Sequence, residues 1–203
     1  MLSTGKRIVF ALAALAAAGT AASGSELRPD AAMVTGSVTS QPIGHYEFCQ
    51  RYASECAVRS KVGPAPTLTQ HGWQVLNAVN TRVNTTVVAM TDQDIYGKEE
   101  YWAYPVDAGD CEDFVLEKRR QLLAKGFSAA DLLITVVRKP DGEGHAVLTV
   151  RTSEGDFILD NLSADVKLWT DTPYTYLKRQ ASFNSGRWVT IENGNVVVVG
   201  ALR

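Results

Sequence analysis

Between residues 73 and 86 the sequence WQVLNAVNTRVNTT places Leu76, Val79 and Val83 three and four positions apart. That spacing puts them on one face of an amphipathic helix. A second helical period runs from residue 110 to 125, with Phe114, Val115, Leu122 and Leu123 as its buried face. Asp110 can cap it, Asp113 completes a loose capping box and Gly126 can end it. Cys111 lies on the buried side, so its thiol is expected to point inward. A short helix is expected from Ser128. The period then switches to two: LLITVVRK, HAVLTVRT and DFILD read as strands, with PDGEG and SEG as their turns. RWVTIENGNVVVV, residues 187–199, reads as a hairpin around Asn193 and Gly194. Helices first and antiparallel strands afterwards predict an α+β domain.

The stretches between these elements differ in character. Residues 25–45 are rich in Ser, Thr, Gly and Pro, which predicts an arm without firm structure. Residues 62–72 are a second turn-rich stretch. Residues 91–110 make a long polar and aromatic loop of the kind that often carries function. Near the start, Lys6 and Arg7 precede an apolar run over residues 8–18 and small residues over 19–25. This is the three-part pattern of a secretory signal, with cleavage expected between positions 22 and 25. The apolar run is too short to span ~30 Å of hydrocarbon. The expected organisation is a signal peptide over 1–24, an N-terminal arm over 25–66 and a folded domain over 67–203, with a periplasmic location and no membrane span in the mature chain.

Composition adds exclusions. The chain has 203 residues, 45% hydrophobic and 21% charged, with a formal charge of −2, so one domain with a proper core is expected. That balance leaves no footprint for nucleic acid. Export also alters how the three cysteines read, because an oxidising compartment favours disulfides and an odd count leaves one thiol over. The economical pairing is Cys49–Cys56 with Cys111 free; the alternative is that neither of the close pair is bonded.

Of the three histidines, His45 and His71 fall in turn-rich segments where solvation is the simple reading. His145 opens a strand, and Asp160 closes the next one after three apolar residues. A cysteine at a helix start followed by His and Asp on neighbouring strands makes a candidate triad: Cys111 as nucleophile, His145 as base, Asp160 as the group that orients the imidazole. Spacing alone opposes it. A two-residue turn at Glu154 and Gly155 sets Thr149 opposite Asp160, which leaves His145 about 13 Å along the strand. The triad then needs a bulge, a looser turn or strong twist.

The segments TDQDIYGKEEYWAYP, GDCEDFVLEKRRQLLAKGF, GHAVLTVRT, DFILDNL and YLKRQ resemble the bacterial transglutaminase-like cysteine proteinase family, which includes LapG-type periplasmic proteases. The resemblance covers roughly residues 68–192. It implies a papain-like, transglutaminase-like core, with the nucleophile at a helix N-terminus packed on an antiparallel sheet. Cys111, His145 and Asp160 fall at its triad positions, so it also implies a different register from the one above. The implied function is a periplasmic cysteine endopeptidase acting through a thioester. Its substrate would be an exported or outer-membrane-anchored protein such as a large surface adhesin, and an inner-membrane regulatory partner follows by analogy. A transglutaminase or glutamine deamidase would use the same triad, and a binding module could keep the fold without the chemistry.

The acids beside Cys111 divide in the same way. In LapG-type members the residues before and after the nucleophile help bind calcium, and Asp110 and Glu112 match those positions. Ca²⁺ there would neutralise carboxylates that oppose thiolate formation. The plainer reading makes Asp110 a cap, with Glu112 and Asp113 complementing the helix dipole. Two adjacent residues cannot complete a site of six to eight oxygens, and Asp92, Asp94 and Asp113 are further candidates. Tyr101 and Trp102 are candidates to line a cleft, though buried aromatic packing is the more common explanation. The backbone N–H of Cys111 is an expected oxyanion donor.

Overall fold

The computed structural model describes Met1 and residues 31–194, so the expected signal peptide beyond Met1 and the last strand of the expected hairpin lie outside the described residues. The chain opens with strand β1 (Thr35–Thr39), helix α1 (Ile43–Arg51) and the single turn α2 (Ala53–Cys56). Helix α3 (Gln70–Thr86) follows, capped by the Thr69 hydroxyl, which accepts from the Gly72 N–H. Two short strands, β2 (Val88–Ala89) and β3 (Ala108–Gly109), pair in parallel and enclose the one-turn helix α4 (Asp92–Tyr96). Helix α5 (Cys111–Ala124) leads into β4 (Leu132–Arg138), β5 (Gly144–Thr152), β6 (Gly155–Leu159), β7 (Lys167–Leu168), β8 (Thr175–Ala181) and β9 (Asn184–Ile191).

Apart from β2 and β3, the strands form one seven-stranded antiparallel sheet in the order β1-β9-β8-β4-β5-β6-β7. The period-two pattern gives it two buried faces. Leu132, Ile134, Ala146, Leu148 and Val150 meet Leu76, Val79 and Val83 of α3 and Phe114, Val115 and Leu122 of α5. The opposite face buries Val137, Val147, Ile158, Trp169 and Tyr176 under Met33. Leu76, Val83 and Leu122 are fully buried, each contributing about 2 kcal/mol. The predicted α+β class and both long helices are present.

α5 ends as its sequence requires. Gly126 adopts φ +90°, its N–H donates to Leu123 and the Phe127 N–H donates to Leu122, so those two carbonyls of the last turn are satisfied. β4 begins so soon afterwards that the expected helix from Ser128 is only a turn, closed by the Asp131 N–H to the Ser128 carbonyl.

One further expectation is corrected. Residues 25–45 do not form a loose arm throughout, because β1 pairs with the edge of β9 and α1 starts at Ile43. β9 makes a hairpin with β8, and the arm expected to follow Gly194 lies outside the described residues. Both edges of β9 are then occupied, and the Asn193 side chain bonds Val34 N and Ala32 O.

The Cys49–Cys56 disulfide is formed and Cys111 is free. The disulfide closes the α1–α2 corner, which is tied to α5 by a Glu55–Arg119 ion pair of 3.4 Å and to β9 by the Ser185 hydroxyl donating to the Glu55 carbonyl at 2.7 Å.

Candidate active site

The nucleophile helix starts where β3 stops. Asp110 sits in extended backbone at the N-cap without a side-chain cap bond, and Cys111 follows as the first helical residue. Its S–H donates to Glu112 Oε2 at 2.9 Å, and the Ala146 N–H of β5 faces the sulfur from the other side. Burial pushes the thiol well up, and the adjoining Glu112 charge and hydrogen bond push it further, while the Ala146 N–H works for the thiolate.

The strand register resolves the distance problem. The turn consists of Ser153 and Glu154, so Thr152 faces Gly155 and Leu148 faces Leu159. Asp160 then falls diagonally across from His145 on the same face, within reach of a side-chain contact. His145 Nε2 lies 2.9 Å from Asp160 Oδ1, with both side chains 4% exposed. Asp160 also accepts from the Leu162 N–H at 3.0 Å and the Tyr174 hydroxyl at 2.6 Å, and its carbonyl accepts from Asn84 Nδ2 at 2.8 Å. Burial alone would raise the Asp160 carboxyl, but the bonds from His145, Tyr174 and Leu162 hold it below its ordinary value. With Nε2 engaged, Nδ1 is the ring nitrogen left for a second partner.

Cys111 and His145 line one cavity of about 340 Å³, together with Trp102, Glu100, Gly144 and Lys178. Trp102 is both cleft wall and core: it is 2% exposed, and its indole N–H donates to Glu100 Oε1 at 2.6 Å. Tyr101 instead stacks under Arg51 and Lys98. A larger cavity, about 600 Å³ between Leu68, Val75, Phe127 and Arg151, is lined by none of the candidate catalytic residues.

Beside Cys111, Asp92, Asp110 and Asp113 bring carboxylate oxygens within 4.8 Å of one another. Asp92 accepts from the Tyr101 N–H and Asp113 from the Ala103 N–H at 2.7 Å, yet Asp92 Oδ1, Asp110 Oδ1 and Asp113 Oδ2 are buried without a hydrogen-bond partner among the described residues. Gly109 permits this approach, since a Cβ there would lie 2.6 Å from Asp113 Cβ. Burial raises all three carboxyls, that of Asp113 to about 8, and the charges of neighbouring acids push Asp110 and Asp113 further. Buried hard oxygens lacking donors fit a calcium ion. Glu112, expected in such a site, stands outside the trio with its carboxylate on the Cys111 thiol, and Asp94 bonds the Thr91 hydroxyl.

Several residues escaped the sequence reading. Nothing in the spacing marks Tyr174 or Asn84 as partners of Asp160. His45, expected in solvent, is 1% exposed in α1, between the indole N–H of Trp188 at 3.2 Å and Gln180 Nε2 at 3.1 Å. It also lies beside Cys49 and Cys56, whose sulfurs are committed to the disulfide.

Calcium-bound Legionella pneumophila LapG is similar at a TM-score of 0.49 and 27% identity, over 57% of this chain and 67% of that one. EGTA-treated L. pneumophila LapG is similar at 0.49 and 30%, over 59% and 68%. No curated protein sequence matches the chain. Residues 35–196 match the family described as bacterial transglutaminase-like cysteine proteinase, a span that includes Cys111, His145 and Asp160. The chain thus belongs to the bacterial transglutaminase-like cysteine proteinase family, and it is a cysteine peptidase.

Proposed function

We propose that the protein is a periplasmic endopeptidase that cuts an exported protein, such as a large surface adhesin, with Cys111, His145 and Asp160 as its catalytic residues. The observation that carries this reading is the buried His145–Asp160 hydrogen bond of 2.9 Å on a cavity that Cys111 also lines. Asp160 fixes the imidazole through Nε2, so Nδ1 takes the thiol proton. The thiolate attacks a peptide carbonyl, and the oxyanion that forms meets the backbone N–H of Cys111 at the helix start. Collapse to the thioester expels the amine, which receives its proton from His145. Water, deprotonated by His145, releases the acid and restores the thiol.

Asp92, Asp110 and Asp113 would hold a calcium ion. Bound there, the ion would supply positive charge against the carboxylates that now oppose Cys111 ionisation. The leader pattern over residues 6–25 and the disulfide support an exported, oxidising setting.

The test is the rate of Cys111 alkylation by iodoacetamide at neutral pH, with calcium, with a chelator, and in His145→Ala. Fast alkylation that needs both His145 and calcium is expected, with a rise in unfolding midpoint on adding calcium that Asp113→Asn abolishes. Slow alkylation indifferent to His145 would refute the peptidase mechanism, and a midpoint unmoved by calcium would remove the ion.

A further inference from the structure

β5 pairs with β4 from Gly144 to Val150 but with β6 only from Leu148 onward, because β6 ends at Leu159 and the chain turns away after Asp160. The first residues of β5 therefore keep one open edge, and the groups on it can be identified. In an antiparallel ladder, alternate residues point their N–H and C=O to opposite sides. The Lys139 N–H donates to the Glu143 carbonyl at 2.9 Å, which assigns Glu143 to the β4 side, and the Ala146 N–H faces the Cys111 sulfur on the other side. Gly144 lies in phase with Ala146, so its N–H and C=O face the cleft. No backbone hydrogen bond outside the strand ladder engages them among the described residues.

The glycine itself has no internal explanation. Gly144 is not among the residues with positive φ, and a Cβ built on it would meet nothing within 4 Å. Neither backbone strain nor packing excludes a side chain at this first residue of β5. Yet it is exposed on the wall of the cavity that holds Cys111 and His145. Bare backbone with free polar groups, next to a nucleophile, suits a ligand that is itself backbone.

We infer that Gly144 is a specificity-determining residue: the substrate's main chain docks as a short added strand on the open edge of β5, across the clearance left by the missing side chain. The substrate class is an extended, locally unfolded polypeptide segment, since a folded helix or sheet has its own N–H and C=O groups already paired. The inference rests on the peptidase reading.

Gly144→Val tests it on the full chain in saturating calcium with two electrophiles. Iodoacetamide reads the nucleophile alone; acetyl-tri-alanyl chloromethyl ketone carries a main chain but only small side chains. The variant should react with iodoacetamide within about twofold of wild type, lose tenfold or more with the peptidyl probe, and unfold at the same or a higher midpoint. Equal retention of both rates overturns the docking assignment, and so does equal loss of both, which would place Gly144 with the nucleophile. Slow alkylation of wild type, indifferent to His145→Ala, would bring down the peptidase reading and this inference with it.

Discussion

Acid should weaken the fold through His45, by an amount that can be worked from its surroundings. Burial, and then the positive charge of Arg119, lower its pKa from an ordinary 6.5 to about 4. Hydrogen bonding acts in the same sense. Gln180 is locked, its Oε1 accepting from Ile134 N at 3.1 Å and its Nε2 donating to Ser185 O at 2.7 Å, so it offers the ring an N–H, as Trp188 does. An imidazolium would set N–H against N–H on both sides. A group whose folded pKa is depressed contributes stability above its unfolded pKa and loses it as pH falls towards the folded one. The window here is pH 6.5 down to about 4, and the difference corresponds to roughly 3 kcal/mol. About 2.5 kcal/mol of that is lost by pH 4.5. Urea unfolding of wild type and His45→Gln at pH 7.5 and 4.5 isolates the contribution, because every other titrating group is common to both. Wild type should lose about 2.5 kcal/mol more than the variant between the two pH values. Losses equal within about 0.5 kcal/mol would refute the account.

Asp160→Asn removes the charge that holds His145 and presents an amide to Nε2; Cys111-dependent turnover should fall roughly 10²–10⁴-fold with the fold intact, and a normal rate would strike Asp160 from the catalytic set. Cys49→Ser/Cys56→Ser opens a loop whose ends are seven residues apart, a loss of about 2 kcal/mol in denaturant titration. An unchanged midpoint would show that the Glu55–Arg119 and Ser185 contacts suffice to close that corner.

The parts legible in the sequence were those set by local periodicity. Leu76, Val79 and Val83 announce α3, and alternation announces β4, β5 and β6. The turn between β5 and β6 was legible as a turn but not in register, because Ser-Glu-Gly offers two ways to place two residues. The choice is made from a distance: Gly155 takes φ +129° with Ala31 O 2.6 Å from where its Cβ would be. β1 was illegible for a related reason. Thr-Gly-Ser-Val-Thr has loop composition, and it is a strand because β9 offers it an edge. The carboxylate trio depends on α4 folding back onto the start of α5, which no spacing between Asp92 and Asp110 encodes. Cys111, His145 and Asp160 could be named from their motifs, whereas Tyr174 and Asn84, which steady Asp160, have no signature.

The adjacency of β1 and β9 joins the two ends of the described chain, and it sets the smallest piece that can stand alone. A chain begun at residue 67, where composition suggests the domain starts, would keep every candidate catalytic residue. It would also bare the long edge of β9, a template for pairing with another copy. Pro42 would go from the wall of the cleft, and with α1 and α2 the packing on Trp102 and the ion pair on Arg119. The unit of folding is therefore larger than the unit of chemistry.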